Sequence, residues 1–275
     1  MKAGRYTVSL HVLGWFRLDG GAMFGSVPKN LWSKLMPVDE ENCIRLATRS
    51  LLLEDNKRKI LVDVGNGEKW NDKLRTIFAI ENTPQERLGF SREEISDVLL
   101  THLHFDHAGG ISEFSPEGTL QRAYPNAKIH VQRANFDNAR APGLRERASY
   151  LPENVDILLG NETNFLDGDV EPFPEVRVKR VDGHTVGQQY IEVFGGPQPI
   201  LFPTDLIPTS RHLPLPYNMG YDICANTLLE EKKQFLEYAI EHDAIVVFEH
   251  DPDVAAARIH VNQKGHYAVK EVVEF

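Results

Sequence analysis

The alternation of apolar and polar positions divides the chain into short segments, most of them strand-like. Arg5 to Leu13 alternates as an opening strand, after which Gly14 to Glu41 loses periodicity while staying rich in Gly, Pro and large apolar residues. Ile44 to Glu54 and Lys59 to Val64 are β-rich runs joined by the polar connection Asp55-Asn56-Lys57-Arg58, which predicts a hairpin. Glu68 to Ala79 has helical spacing at Leu74, Ile77 and Phe78, and Ser91-Arg92-Glu93-Glu94 is a capping box that opens a short helix. Asp97 to Thr101 reads as a short buried strand. Tyr124-Pro125-Asn126 turns into a strand over Lys128 to Val131, and the polar, Arg-rich stretch from Gln132 to Arg147 predicts a helix. Asp156 to Leu159, Arg177 to Asp182, Gln189 to Phe194 and Pro199 to Pro203 read as strands. Asn226 caps a helix with the apolar face Leu228, Leu229, Phe235, Leu236, Ala239 and Ile240, ending near His242. Ala244 to Phe248 is a continuous apolar strand, and Gly265 to Phe275 supplies a last alternating one. Strands flanked by helices in both halves fit a layered α/β sandwich.

Chemistry concentrates at the end of the Asp97 to Thr101 strand. His102-Leu103-His104-Phe105-Asp106-His107 places three histidines and an aspartate within six residues, followed by Gly109-Gly110, which lets the backbone turn or approach something closely. Strand periodicity puts His102 and His104 on one face, where their imidazoles can converge on an ion; Asp106 and His107 fall where the chain leaves the strand and can serve a second ion. Imidazole and carboxylate together suit Zn, Fe or Mn, and two such ions in one cleft are a recurring hydrolytic device.

This run resembles the signature of the metallo-β-lactamase superfamily, and further matches follow in order. Gly183-His184-Thr185-Val186-Gly187 is similar to its second metal motif, Thr204-Asp205 to its bridging aspartate, and Glu249-His250 to its last histidine. Asp63 in Leu61-Val62-Asp63-Val64-Gly65 resembles the family's early aspartate, which supports the site from behind the ligands. The resemblance spans about Asp63 to His250. It implies a four-layer αββα sandwich formed by residues 1–275 as one domain. It also implies two divalent ions, zinc first with iron or manganese as alternatives: His102, His104 and His184 on one, Asp106, His107 and His250 on the other, and Asp205 on both. A bridging hydroxide would attack, and Asp106 would receive its proton and pass it to the leaving group.

The spacing and the Phe105-Asp106-His107 run are similar to those of acyl-homoserine lactonases and organophosphate-hydrolysing relatives, which implies a lactone or ester-like substrate, with phosphotriester or thioester hydrolysis as the alternative. One departure stands out. The best-known quorum-quenching lactonases carry a tyrosine three residues after the bridging aspartate, and here that position is Pro208. Tyr217 or Tyr221 is the candidate substitute. Phe24, Trp32, Phe105, His212, Tyr217 and Tyr221 are the candidate substrate contacts. Met23, Phe24 and Trp32 either pack into the core or a dimer contact, or meet substrate; the resemblance implies a compromise, a hydrophobic lid from Gly20 to Trp32 that borders the cleft and also joins a homodimer. Iron-dependent redox relatives share the fold, but the complete ligand set favours the hydrolytic form.

Composition narrows the partners. The formal net charge is −10, and no run of Lys or Arg offers a local field for phosphate backbones, so nucleic-acid processing is disfavoured. Two cysteines, Cys43 and Cys224, are too few for a disulfide framework and fit a reducing, cytoplasmic compartment. Val8 to Leu13 carries a histidine and lacks a small-residue cleavage pattern, so it reads as a strand and not a leader. No apolar run approaches membrane-spanning length. A small-molecule substrate is the expected partner.

Overall fold

In the computed structural model, which describes residues 1–275, two mixed sheets pack face to face with helices on their outer faces. The first sheet runs in the order Lys2–Ala3, Tyr6–Asp19, Cys43–Glu54, Lys59–Val62, Asp97–Leu99, Lys128–Gln132, Thr163–Leu166, with Glu81–Asn82 also pairing on Tyr6–Asp19. The second follows chain order: Val170–Phe173, Val176–Val181, Gln188–Val193, Ile200–Phe202, Ile245–Val247, Ala256–Val261, Tyr267–Val272.

Strand alternation explains why the central runs are apolar without interruption. Leu51, Leu53, Ile60, Val62 and Leu99 point between the sheets, where they meet Val176, Val178, Ile191, Phe202 and Val247. Their neighbours Leu52, Leu61 and Val98 point outward onto Phe136, Ala139, Val155 and Leu158 of the helical layer. Leu201 and Val246 likewise face outward onto Leu228, Phe235, Leu236 and Ala239 of the helix Ala225–Glu241. A sheet covered on both faces has no polar side to show. The result is the αββα layering of the metallo-β-lactamase fold. No helix is long and apolar enough to cross a membrane.

The hairpin forms over Cys43–Glu54 and Lys59–Val62, with Leu51 opposite Val62; Asp55 Oδ1 closes its turn by accepting from the backbone of Lys57 and Arg58 at 2.7 and 2.8 Å. Glu94 accepts from the Ser91 backbone N–H at 2.9 Å, as the capping box requires, although only a single 3-10 turn follows.

Four expectations need correction. The opening strand continues past Leu13 to Asp19, because a register shift between Val12 and Gly14 breaks the alternation without ending the ladder. That shift matters: Tyr6 and Val8 face the inter-sheet core, whereas beyond it Phe16 packs with Leu46 in a separate cluster beside the cleft. Asp156 to Leu159 is not a strand. Pro152 starts a helix, Pro152–Asp156, which passes into a 3-10 turn at Ile157–Leu159; the strand of this region is Thr163–Leu166. The helix expected to reach Arg147 stops at Arg140, just before Pro142-Gly143. Asn226 lies inside the first turn of Ala225–Glu241, whose N-cap is Cys224.

The segment from Gly20 to Trp32 is two short helices, Gly20–Phe24 and Lys29–Trp32. Phe24 and Trp32 are 0% and 1% exposed and stack at 5.5 Å. They serve the core, and of the segment's large apolar residues only Leu31 is exposed. Trp32→Ala should therefore destabilise the fold by roughly 3–5 kcal/mol, measured by denaturant unfolding; a loss below about 1 kcal/mol would remove Trp32 from the core.

Candidate metal centre

Four strands end at the cleft. Asp97–Leu99 leads to His102, Val176–Val181 to His184, Ile200–Phe202 to Asp205, and Ile245–Val247 to His250. His102 and His104, however, lie in a loop after Leu99 and not on the strand, so the pleat does not align them. Tertiary ties do. Asp63, at φ 56°, accepts from the Thr101 backbone N–H at 2.8 Å and from its hydroxyl at 2.6 Å. Asn135 accepts from Leu103 N at 2.9 Å and donates to Val186 O at 2.8 Å, joining the two metal motifs. Asp106 and His107 sit on the one-turn helix Phe105–Ala108. Gly109 and Gly110 are obligatory there: a Cβ on either would strike the carbonyl oxygens of Asn66 and Val64.

The seven ligand candidates converge in the grouping expected. His102, His104, His184 and Asp205 offer donor atoms all within 4.8 Å of one another, and so do Asp106, His107, Asp205 and His250; all are buried. Asp205 lies between, with Oδ2 at 3.0 Å from His184 Nε2 and Oδ1 at 3.1 Å from His250 Nε2.

Whether cations fit is decided by the imidazole nitrogens. His104 Nδ1 and His184 Nε2 face each other at 3.1 Å, and His107 Nε2 and His250 Nε2 at 3.2 Å. The far nitrogens are mostly engaged from behind: His184 Nδ1 with Asp222 Oδ1 at 2.9 Å, His250 Nδ1 with Ala47 O at 2.7 Å, and His107 Nδ1 with Asp63 Oδ2 at 3.0 Å and Glu249 Oε2 at 3.2 Å. A ring that donates behind presents a lone pair in front, so each facing pair needs a proton or a cation between its members. Buried His102 Nε2 makes no hydrogen bond and faces Asp205 Oδ2 at 3.7 Å. Zinc–nitrogen bonds of about 2.0–2.1 Å put donors roughly 3.3 Å apart around a tetrahedral ion, close to the spacing found. The residues fit divalent metal.

Electrostatics agree. Burial, reinforced by the imidazoles of His107, His104 and His184, holds His102 well below its ordinary value and keeps it neutral. Burial also opposes charge on His184 and His250, yet Asp205, with Asp222 and Glu249 respectively, pushes them up to about 10 and about 9. Cations would replace those protons, so metal uptake releases protons.

Above the ligands opens a cleft with about 680 Å³ of empty space, part of it open to solvent. Phe16, Leu18, Leu46, Phe78, Phe105 and Met219 form much of its wall, with Met23, Ala148, Ser149 and Tyr221 around them. Phe105 and Tyr221 thus stand at the cleft as expected. Phe24, Trp32, His212 and Tyr217 do not line it. His212 is 1% exposed, stacks on Phe24 at 4.5 Å and bonds Met23 O at 2.8 Å; burial pulls it down to about 4, so it is a neutral packing residue. Tyr217 packs edge-on to Phe24. From the Gly20 to Trp32 segment only Met23 reaches the cleft, because the larger rings fill the space behind it.

Sequence reasoning missed Asp222, Glu146, Asn135 and Glu249. Glu249 stood beside a recognised ligand and could have been suspected; the others lie in unpatterned segments and meet the motifs only in space.

Fold and site together define a metal-dependent hydrolase. The chain belongs to the metallo-β-lactamase superfamily, whose family description matches residues 44–258. It is 30% identical to an N-acyl homoserine lactonase of Bacillus sp over 218 residues, 73% of this chain and 79% of that protein. Among solved structures, one described as a "probable metal-dependent hydrolase from Staphylococcus aureus" superposes with a TM-score of 0.87 at 26% identity, covering 100% of both chains. AidC, described as a dizinc quorum-quenching lactonase in complex with a product, shares the fold with a TM-score of 0.79 at 19% identity, covering 100% of this chain and 97% of that one.

Asp222→Asn should lower metal affinity about 10- to 100-fold, because the His184 ring loses its anionic anchor. Competition with a chromogenic chelator reads this directly, and unchanged affinity would show the anchor to be dispensable.

Proposed function

We propose that the protein is a dinuclear, zinc-dependent hydrolase of neutral, hydrophobic lactones or esters, with N-acyl homoserine lactones the leading class. The observation that carries this reading is the juxtaposition of seven converging donors with an apolar wall. Phe16, Leu18, Phe78, Phe105 and Met219 offer an acyl chain a dry surface beside the metal ligands. The lactonases among its relatives support the same class.

Two divalent ions held by these residues would activate water and polarise the substrate carbonyl. The rest belongs to the chain. Asp106 lines the cleft, its Oδ2 3.7 Å from His250 Nε2; it takes the proton released by the attacking water and returns it to the leaving alkoxide. Pro208 has no phenol to offer the oxyanion, and its carbonyl is engaged by His250 N at 3.0 Å. Tyr221 is the tyrosine on the cleft wall and supplies a hydroxyl donor there; Tyr217, packed on Phe24, does not.

Elemental analysis of fully loaded protein should find about two metal ions per chain, and Asp205→Ala should retain about one. A parent protein that never exceeds one equivalent sinks the dinuclear centre. Asp106→Asn should lower kcat by about 10²–10⁴-fold with metal still bound, as loss of a proton-transfer group does. Retained turnover in that variant would eliminate the proton-transfer role. In a panel of lactones, esters, phosphotriesters and thioesters, long-chain lactones should give the highest kcat/KM. Turnover of phosphotriesters alone would move the substrate class to the alternative.

A further inference from the structure

Among the five converging histidines, His104 differs in how its back is held. Its Nδ1 faces His184, which leaves Nε2 as the far nitrogen, and that atom is buried without a hydrogen-bond partner. The carboxylate oxygen it faces is Glu146 Oε2, at 3.7 Å, about an ångström beyond a charge-assisted hydrogen bond.

Glu146 is itself tightly held. It is 6% exposed; Oε2 accepts from Thr185 Oγ1 at 2.7 Å and from the Tyr150 hydroxyl at 3.3 Å, and Oε1 accepts from Asn138 Nδ2 at 2.9 Å. Thr185 is the residue after the ligand His184. The Tyr150 ring stands edge-on to the His104 ring at 4.9 Å, and the two residues form an isolated β-bridge. A buried carboxylate fixed by three donors thus stands opposite an unsatisfied imidazole nitrogen. Such pairs orient a ligating ring and fix its tautomer.

We propose that Glu146 is the positioning residue of His104 and selectively supports the first metal site. A cation on Nδ1 obliges the His104 proton to reside on Nε2, and that N–H then closes onto Glu146 Oε2. The same anchor sets one wall of the cleft, because Ala148 and Ser149 follow Glu146 in the chain and line the opening. This inference rests on the metal-centre reading but not on the substrate.

The test is cadmium loading, followed by ¹¹³Cd NMR, which resolves the two sites, and by competition with a chelator of known affinity. Glu146→Gln, matched in shape, should weaken cadmium at the first site by about 10- to 100-fold and leave the second within about threefold. The metal-free variant should unfold within a few degrees of the parent. The His104 Nε2–H proton, strongly downfield in the loaded parent, should move upfield in the variant. Tyr150→Phe keeps Glu146 and should retain first-site affinity. Equal cadmium affinity in parent and Glu146→Gln overturns the inference, and so does parallel weakening of both sites or an equal loss in Tyr150→Phe. A parent that takes up no cadmium would overturn the metal centre itself, a separate outcome.

Discussion

Five imidazoles crowd around one carboxylate here, and three of the rings are fixed from behind. Each bare nitrogen that turns inward is repelled by its neighbours and stripped of water, so the metal-ready arrangement is costly on its own. The chain meets that cost at the outer nitrogens, with Asp222 behind His184, Asp63 and Glu249 behind His107, and the Ala47 carbonyl behind His250. Buried Arg49 extends the same logic to the backbone. Its guanidinium donates to the carbonyls of Phe248 and Asp251 and so holds the loop that presents His250.

Those anchors also shape the cleft. Asp222 Oδ2 accepts from Met219 N at 2.7 Å while Oδ1 holds His184, so a wall residue and a metal ligand share one carboxylate. Gly220 N bonds Ala22 O at 2.7 Å, and Arg145 donates to the carbonyls of Gly220 and Asp222. Lys232, 0% exposed, caps the carbonyls of Pro214 and Tyr217 at 3.0 and 2.6 Å. A change at Met219 is therefore transmitted through Asp222 to His184.

How much of this was legible in sequence follows from where each constraint acts. The seven ligand candidates and Asp63 could be read because their chemistry is local, with donors packed into short motifs at strand ends. A layered α/β sandwich could be read because strands are flanked by helices in both halves, whereas its four-layer order was implied only by the family resemblance. Asp222 and Glu146 could not, since they reach His184 and His104 across 38 and 42 residues of chain from segments without pattern. The register shift after Val12 disguised the second half of the first long strand, and a helix begun by Pro152 resembled a strand because its turns were too short to show helical spacing. Phe24 and Trp32 looked like a lid because sequence reports that large apolar residues need burial but not on which side of a wall they find it.

The balance of charge around the cleft bears on what can enter it. Six carboxylates, Asp63, Asp106, Glu146, Asp205, Asp222 and Glu249, stand in or directly behind the centre and are buried. Burial and the nearby Asp63 push Glu249 up to about 8 against the pull of the His107 and His250 imidazoles. Divalent ions held there would offset part of that negative charge. The chain around the centre is itself acidic, with a formal net charge of −10. A polyanionic substrate would meet these carboxylates with no Lys or Arg on the cleft wall to receive it. A neutral acyl compound loses little on entering and gains the apolar wall, so charge and shape both support the substrate class proposed above.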